Sequence, residues 1–177
     1  LTRDETSLLK HQIAEAADNF DVVVTSGGVS MGVYDVTKNA LKELGAEIFF
    51  ERVALRPGKP IVFARLPSGA LIFGLPGNPV SVSVTFNLFT RTALLAMQGA
   101  NEPVLKQETV RLARSVKGTM DRESYLPAQL MTNDDGELIA FPLKWGGSSD
   151  FVSFALTTAL AIIPAGVKSA EAGSLVN

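Results

Sequence analysis

Asp21-Val22-Val23-Val24-Thr25-Ser26-Gly27-Gly28-Val29-Ser30-Met31-Gly32 is the stretch on which the fold turns. Its first half is a short β-branched run of the kind that forms a buried strand in a parallel sheet covered on both faces. Its second half is a loop of small residues. Beyond the loop, Val36, Ala40, Leu41 and Leu44 recur at helical spacing and stop at Gly45, a glycine placed to end a helix. Strand, glycine loop and helix follow one another, the local signature of an α/β domain. Upstream, Thr2-Arg3-Asp4-Glu5 fits a capping box, and Leu9, Ile13, Ala17 and Phe20 continue it, which predicts a helix from about Asp4 to Asp18. Downstream, Ile48-Phe49-Phe50 with Val53, then Ile61-Val62-Phe63, then Ala70-Leu71-Ile72-Phe73 read as strands. Arg56-Pro57-Gly58-Lys59-Pro60 and Leu66-Pro67-Ser68-Gly69 break the chain between them.

A second loop, Gly74-Leu75-Pro76-Gly77-Asn78-Pro79, follows the last of these strands, with Asn78 placed as an N-cap and Pro79 as the first helical residue. What comes next carries two signals. Val80, Val82, Val84, Phe86 and Leu88 alternate with polar residues as in a strand, whereas the cap and the length to Met97 specify a helix. The helix is the reading adopted, with Met97 as a packing residue. Gly99-Ala100-Asn101-Glu102-Pro103 reads as a linker. Beyond it, short alternating segments at Thr109–Ala113, Ser124–Met131 and Leu138–Phe141 predict a small β domain, with Asp134-Asp135-Gly136 as a hairpin turn. The expected organisation is an α/β domain over residues 1–99 and a β domain over 103–177, without internal repeats.

Composition removes whole classes of chemistry. The 177 residues include no Cys and one His (His11, on a polar helix surface), so disulfide scaffolds, zinc fingers, iron–sulfur sites and cysteine nucleophiles are out. Residues 1–100 carry nine basic and nine acidic side chains, and 101–177 carry seven and nine, so neither part is a polycation that would track nucleic acid. No run reaches the roughly 18 uninterrupted apolar residues of a membrane span, and Leu1-Thr2-Arg3-Asp4-Glu5 lacks a signal-peptide layout. A cytoplasmic protein without nucleic-acid or membrane partners is expected.

The loops suggest an oxyanion. A glycine turn between a parallel strand and a helix gathers backbone N–H groups at one point. Glycines at 27, 28 and 32 match neither the dinucleotide fingerprint nor the Walker pattern, which would need Lys where Val33 stands. On spacing alone a tight structural turn is at least as good a reading. Two such loops on one sheet favour a ligand, because ligands in open α/β sheets lie beyond the carboxyl ends of the strands. Asp35, after the first loop, reads as an N-cap, as a carboxylate for a hard cation, or as both. Arg52, Arg56 and Lys59 are either solvated charges or an anion pocket, with Lys59 on a stiff loop between Gly58 and Pro60.

Three strings, residues 21–35, Arg56-Pro57-Gly58-Lys59-Pro60 and Gly74-Leu75-Pro76-Gly77-Asn78-Pro79-Val80-Ser81, together resemble the molybdopterin molybdenumtransferase family, called MoeA in bacteria and the gephyrin E domain in animals. The resemblance implies a MogA-like three-layer molybdopterin-binding α/β domain, incomplete at its N-terminus, followed by a small C-terminal β-barrel. It implies conversion of adenylated molybdopterin and molybdate, with Mg2+, into molybdenum cofactor and AMP. Carried over by motif, Asp35 and Lys59 would be catalytic, Asp35 standing beside the metal. Ser26, Gly27, Gly28, Ser30, Arg52, Arg56, Pro76, Asn78, Pro79, Ser81 and Ser148 would bind the cofactor substrate. Val33 stands where the family usually has an acid, Arg56 where Lys is common, and Pro127 where Arg often follows Arg122-Glu123-Ser124-Tyr125. The family's N-terminal domains, and the first strand and acidic loop of this α/β domain, have no counterpart before Leu1, so a C-terminal fragment of a homodimeric enzyme is expected. Contact with a molybdopterin adenylyltransferase is a further implied partnership. A MogA-like adenylyltransferase, which lacks the barrel, a competence-damage protein and a non-catalytic interaction module are the alternatives.

Overall fold

A computed structural model describes residues 6–29 and 36–177, and the chain divides into two compact units. The first comprises the residues up to Val53 together with Gly58–Arg91, and the second comprises Ala54–Pro57 together with Thr92–Asn177. The capping box at residues 2–5 lies outside the described residues.

The first unit begins with helix α1 (Thr6–Ala17), which buries Ile13 and leaves His11 exposed. Phe20 falls beyond the helix and is exposed, so it does not extend the apolar stripe as the sequence predicts. Strand β1 (Val22–Ser26) leads into the glycine loop, and α2 (Val36–Glu43) follows. Gly45 ends α2 as expected, its N–H donating to the Lys42 carbonyl while Ala46 N–H reaches back to Leu41. Strands β2 (Glu47–Arg52), β4 (Pro60–Arg65) and β5 (Leu71–Leu75) complete a sheet of order β1-β5-β4-β2. Only β1 and β5 run parallel, and the β5–β4 and β4–β2 pairs are antiparallel, so the sheet is mixed where the valine run predicts a parallel one. The run fixes neither direction nor the expected burial: β1 stands at the edge of the sheet among the described residues, none of its five residues is buried, and Val24 is 44% exposed. Along β4 and β5 alternate residues face opposite ways. Val62, Ala64 and Ile72 join Ile13, Ala40 and Leu41 under α1 and α2, while Phe63 stacks on Phe73 at 4.7 Å and contacts Phe50 at 5.6 Å.

Phe50 also meets Phe89, at 5.7 Å, which brings the last helical run against the other face and makes the unit three-layered. That run comprises α3 (Pro79–Thr85), a π-helical turn at Phe86–Thr90 and α4 (Arg91–Met97). The helix prevails over the alternating pattern. Val80, Ser81, Val84 and Thr85 are buried, and Thr90 is the next buried position, so the inward face steps by four and then by five. The extra residue of the π turn accounts for the longer step. Over Pro79–Met97 the run is long and apolar enough, with mean hydropathy 1.3, to pass for a membrane span by length and composition. Its buried face is committed to packing within the protein. Met97 is half exposed, at 51%, and is not the packing residue the sequence predicts.

The second unit is a closed sheet. Its strands are β3 (Leu55–Arg56), β6 (Val110–Leu112), β8 (Glu123–Thr132), β9 (Leu138–Pro142), β10 (Ala159–Ile163) and β12 (Leu175–Val176), with β7 (Val116–Lys117) and β11 (Ser169–Ala170) pairing separately. The order β10-β8-β9-β6-β12 returns on itself, because Ile162 N–H of β10 donates to the Asn177 carbonyl at the end of β12, 2.7 Å away. Leu126, Ala128, Ala140, Ala161, Ile163, Val110, Leu112 and Val176 fill the interior, alternating along their strands. The β8–β9 turn is the expected one: Asn133 Oδ1 accepts from Asp135 and Glu137 N–H. Strand β3, parallel to the start of β8, was not foreseen in the sequence.

Candidate functional site

The parallel pair β1 and β5 places two loops at one edge. Register pairs Ser26 with Leu75, so residues 27–29 and 76–78 leave the sheet side by side at its carboxyl end. They are bonded to each other. Ser26 Oγ donates to the Pro76 carbonyl at 3.1 Å and Gly27 N–H donates to the Leu75 carbonyl at 3.0 Å. A Cβ on Gly77 would come within 3.7 Å of Gly27 Cα, so the loops touch through their glycines. Two strand ends, neighbours in space but 50 residues apart in sequence, thus meet at one rim, at the carboxyl edge where α/β sheets hold ligands.

Gly27 (φ +88) and Gly28 (φ +67) both occupy the left-handed region that favours glycine. With its own N–H engaged on Leu75, Gly27 contributes backbone geometry rather than a donor. Neither Gly28 nor Val29 donates its N–H to a backbone carbonyl among the described residues. On the second loop, Asn78 is the N-cap position (φ −74, ψ 129) with Pro79 at the helix start, as the sequence predicts, but the Asn78 side chain does not cap the helix. Asn78 and Pro79 are exposed, Pro76 is buried, and Ser81 is 5% exposed on the packed face of α3, where its carbonyl accepts from Thr85 Oγ1 at 2.8 Å. Ser30 and Asp35 lie outside the described residues.

Positive charge reaches the same edge by register. Because β4 runs antiparallel to β5 with Val62 opposite Gly74, extending the pairing carries Lys59 to the level of Gly77. Arg52 ends β2 opposite Pro60, and Val53 N–H donates to the Lys59 carbonyl at 3.0 Å. Arg52 is exposed and Lys59 half-buried, and neither forms an ion pair among the described residues. The third cation of the predicted pocket, Arg56, is exposed on β3 and belongs to the second unit.

Ser148 also belongs to the second unit, in the turn before the short helix α5 (Phe151–Phe154). Asp150 organises that turn: Oδ2 accepts from Gly146 N–H at 2.8 Å and Oδ1 from Ser153 N–H at 3.1 Å. The Gly146 bond first, then the Ser153 bonds, hold its carboxyl below the usual carboxylate range. In β8, Tyr125 donates to Glu123 Oε1 at 2.7 Å, and burial, then that carboxylate, push its phenol well above the ordinary value. Pro127, a departure from the family pattern, is buried in the same strand with its carbonyl accepting from Leu143 N–H at 2.8 Å.

Among the described residues there is no group of three or more His, Asp or Glu side chains that could hold a metal ion. One residue at the rim escaped the sequence reading altogether. Thr37, 1% exposed at the start of α2, donates its N–H to the Gly28 carbonyl at 3.3 Å and its hydroxyl to the Gly27 carbonyl at 3.5 Å. Its only sequence signal is a hydroxylated residue on the apolar stripe itself, one turn ahead of Ala40 and Leu41.

Comparison with known proteins agrees with this architecture. Residues 1–96 match the family model described as a probable molybdopterin binding domain, and residues 109–177 match the MoeA C-terminal region, domain IV. A molybdopterin molybdenumtransferase of Nostoc sp. is 36% identical over 174 residues, 94% of this chain and 39% of the relative. The protein of that name from Bacillus subtilis is 30% identical over 164 residues, 93% of this chain and 38% of its own length. Among solved structures, the molybdopterin biosynthesis moeA protein from Pyrococcus horikosii aligns with a TM-score of 0.79 at 32% identity, covering 98% of this chain and 40% of that one. The chain thus spans about two fifths of the length of these relatives. An α/β unit with paired glycine loops that matches the probable molybdopterin binding domain, followed by a closed sheet matching the MoeA C-terminal region, places the chain in the MoeA family.

Proposed function

We propose that this chain supplies the substrate-binding rim of a molybdenum insertase, in which adenylated molybdopterin and molybdate yield molybdenum cofactor and AMP. The observation that carries the reading is the junction of the two glycine loops at the carboxyl end of β1 and β5, with Arg52 and Lys59 at the same edge. Phosphate and molybdate are oxyanions, and both are stabilised by backbone N–H donors and fixed cations. On this reading Ser26, Gly28 and, by resemblance to the family, Ser30 bind the phosphate region. Pro76, Asn78, Pro79 and Ser81 shape the second wall, Arg52 and Lys59 complete the binding set of the first unit, and Arg56 and Ser148 are assigned to cofactor binding in the second unit by resemblance to the family. Asp35 would hold Mg2+, whose chemistry is to neutralise the charge that two oxyanions bring together. Catalysis is then chiefly positioning and electrostatics. In the longer relatives' setting we assign the working form to a homodimer that receives its substrate from a molybdopterin adenylyltransferase.

The test is calorimetric titration of the chain with adenylated molybdopterin, with and without Mg2+ and molybdate, while AMP is followed in the same sample. AMP release that requires molybdate establishes insertion by the chain alone. Binding without release assigns it the rim and leaves turnover to the rest of a longer enzyme. No binding under any condition removes the reading and leaves a non-catalytic interaction module to be pursued by pull-down.

A further inference from the structure

We infer that Thr37 is the positioning residue of the first glycine loop, turning the Gly28 and Val29 N–H groups toward the rim by holding the two carbonyls that precede them. A trans peptide unit points its C=O and its N–H in opposite directions. The Gly27 carbonyl accepts from Thr37 Oγ1 at 3.5 Å, so the N–H of Gly28, in the same peptide unit, points away from Thr37. The Gly28 carbonyl accepts from Thr37 N–H at 3.3 Å, so the Val29 N–H does likewise. These are the loop donors that no backbone carbonyl takes up among the described residues. A carbonyl oxygen facing an oxyanion repels it, so a loop that binds one must dispose of its carbonyls. Thr37 does so for two in succession.

The side chain has little freedom to do anything else. Thr37 is 1% exposed, and a Cβ on Gly28 would lie 2.9 Å from its hydroxyl. On its other side, a Cβ on Gly74 in β5 would lie 3.2 Å from its methyl and 3.0 Å from Val29. Gly74 is therefore the gap in the sheet into which Thr37 and Val29 pack. One residue ties the loop, the head of α2 and the neighbouring strand together. Both bonds to the carbonyls are long, so the loop is held without being drawn tight.

The inference that this orientation serves a ligand rests on the function proposed above, and the experiment separates the two. The intact chain is compared with Thr37→Val, which keeps the branched shape and loses the hydroxyl, and Thr37→Ser, which keeps the hydroxyl. Amide exchange at residue 37, whose N–H donates to the Gly28 carbonyl, and in β4 is measured alongside calorimetric titration with adenylated molybdopterin. The expected result is faster exchange at residue 37 in the valine variant only, with β4 unaltered. Affinity should fall about tenfold in the same variant, the scale of one lost hydrogen bond, and stay within about threefold of the parent in the serine variant. Unaltered exchange at residue 37 in the valine variant overturns the inference. A loss of affinity in the serine variant with none in the valine variant also overturns it, since that pattern assigns Thr37 a packing role through its methyl. If the parent chain fails to bind while the exchange response is present, the ligand assignment falls and the hold of Thr37 on the loop stands.

Discussion

Gly27 and Gly28 share a positive φ but differ in what surrounds them, and that difference is measurable. A Cβ on Gly27 would meet nothing within 4 Å, whereas one on Gly28 would lie 2.9 Å from Thr37 Oγ1. Gly27→Ala should therefore cost only the backbone term, about 1 kcal/mol. Gly28→Ala adds a collision with a buried side chain and should cost roughly twice as much. Urea unfolding followed by circular dichroism gives both values, and equal midpoints for the two variants would show that Thr37 yields without penalty. The sequence makes both glycines conspicuous but cannot rank them, because the ranking depends on a residue nine positions downstream. Asn78 shows a related limit. Its place before Pro79 marks the helix start correctly, yet the side chain expected to cap the helix does not. Residue type reveals the boundary, and only the fold reveals what the side chain does there.

At the scale of elements, the place of an element along the chain was more legible than its burial or its pairing. The valine run of β1 and the apolar spacing of α2 appear where the sequence puts them, but the run contains nothing that fixes the direction of its neighbours, and the sheet is mixed. The helical run Pro79–Met97 was ambiguous for a physical reason. Alternation and helical spacing coincide over short windows, and the π turn at Phe86–Thr90 shifts the buried face by one residue midway. In the second unit the last strand carries unusual weight for its length. Strand β12 pairs with β6, buries Val176 at 7% exposure, and through Asn177 bonds both Ile162 N–H and Thr109 Oγ1. Deleting residues 175–177 should destabilise that unit by roughly 3 kcal/mol, from one buried valine and the lost hydrogen bonds. Hydrogen exchange on the shortened chain should show protection lost across β6 and β10 and kept across β4 and β5. Uniform loss over both sheets would contradict the assignment of closure to β12.

For the whole molecule, the charge balance sets how an anionic ligand is attracted. The formal net charge is −2, so the overall field does not draw oxyanions in, and attraction must come from Arg52 and Lys59 near the loops. Such exposed charges are screened over about 10 Å at 0.1 M salt. Affinity for adenylated molybdopterin should accordingly weaken several-fold between about 0.05 and 0.5 M salt. Arg52→Ala should flatten that dependence, which calorimetry at stepped ionic strength checks, and a salt slope unaffected by the substitution would remove Arg52 from the site. The two-part organisation was legible in the change from long helical spacing to short alternating segments. The short strand β3 was not, because two residues of strand between Ala54 and Pro57 carry no periodicity. Its placement means that the boundary between the units is crossed three times, after Val53, after Pro57 and after Arg91. A gene cut once, anywhere, therefore strands part of one unit with the other. Any lineage that recombined these units as separate cassettes would have had to re-supply Leu55–Arg56, so the two are expected to be inherited, expressed and lost together.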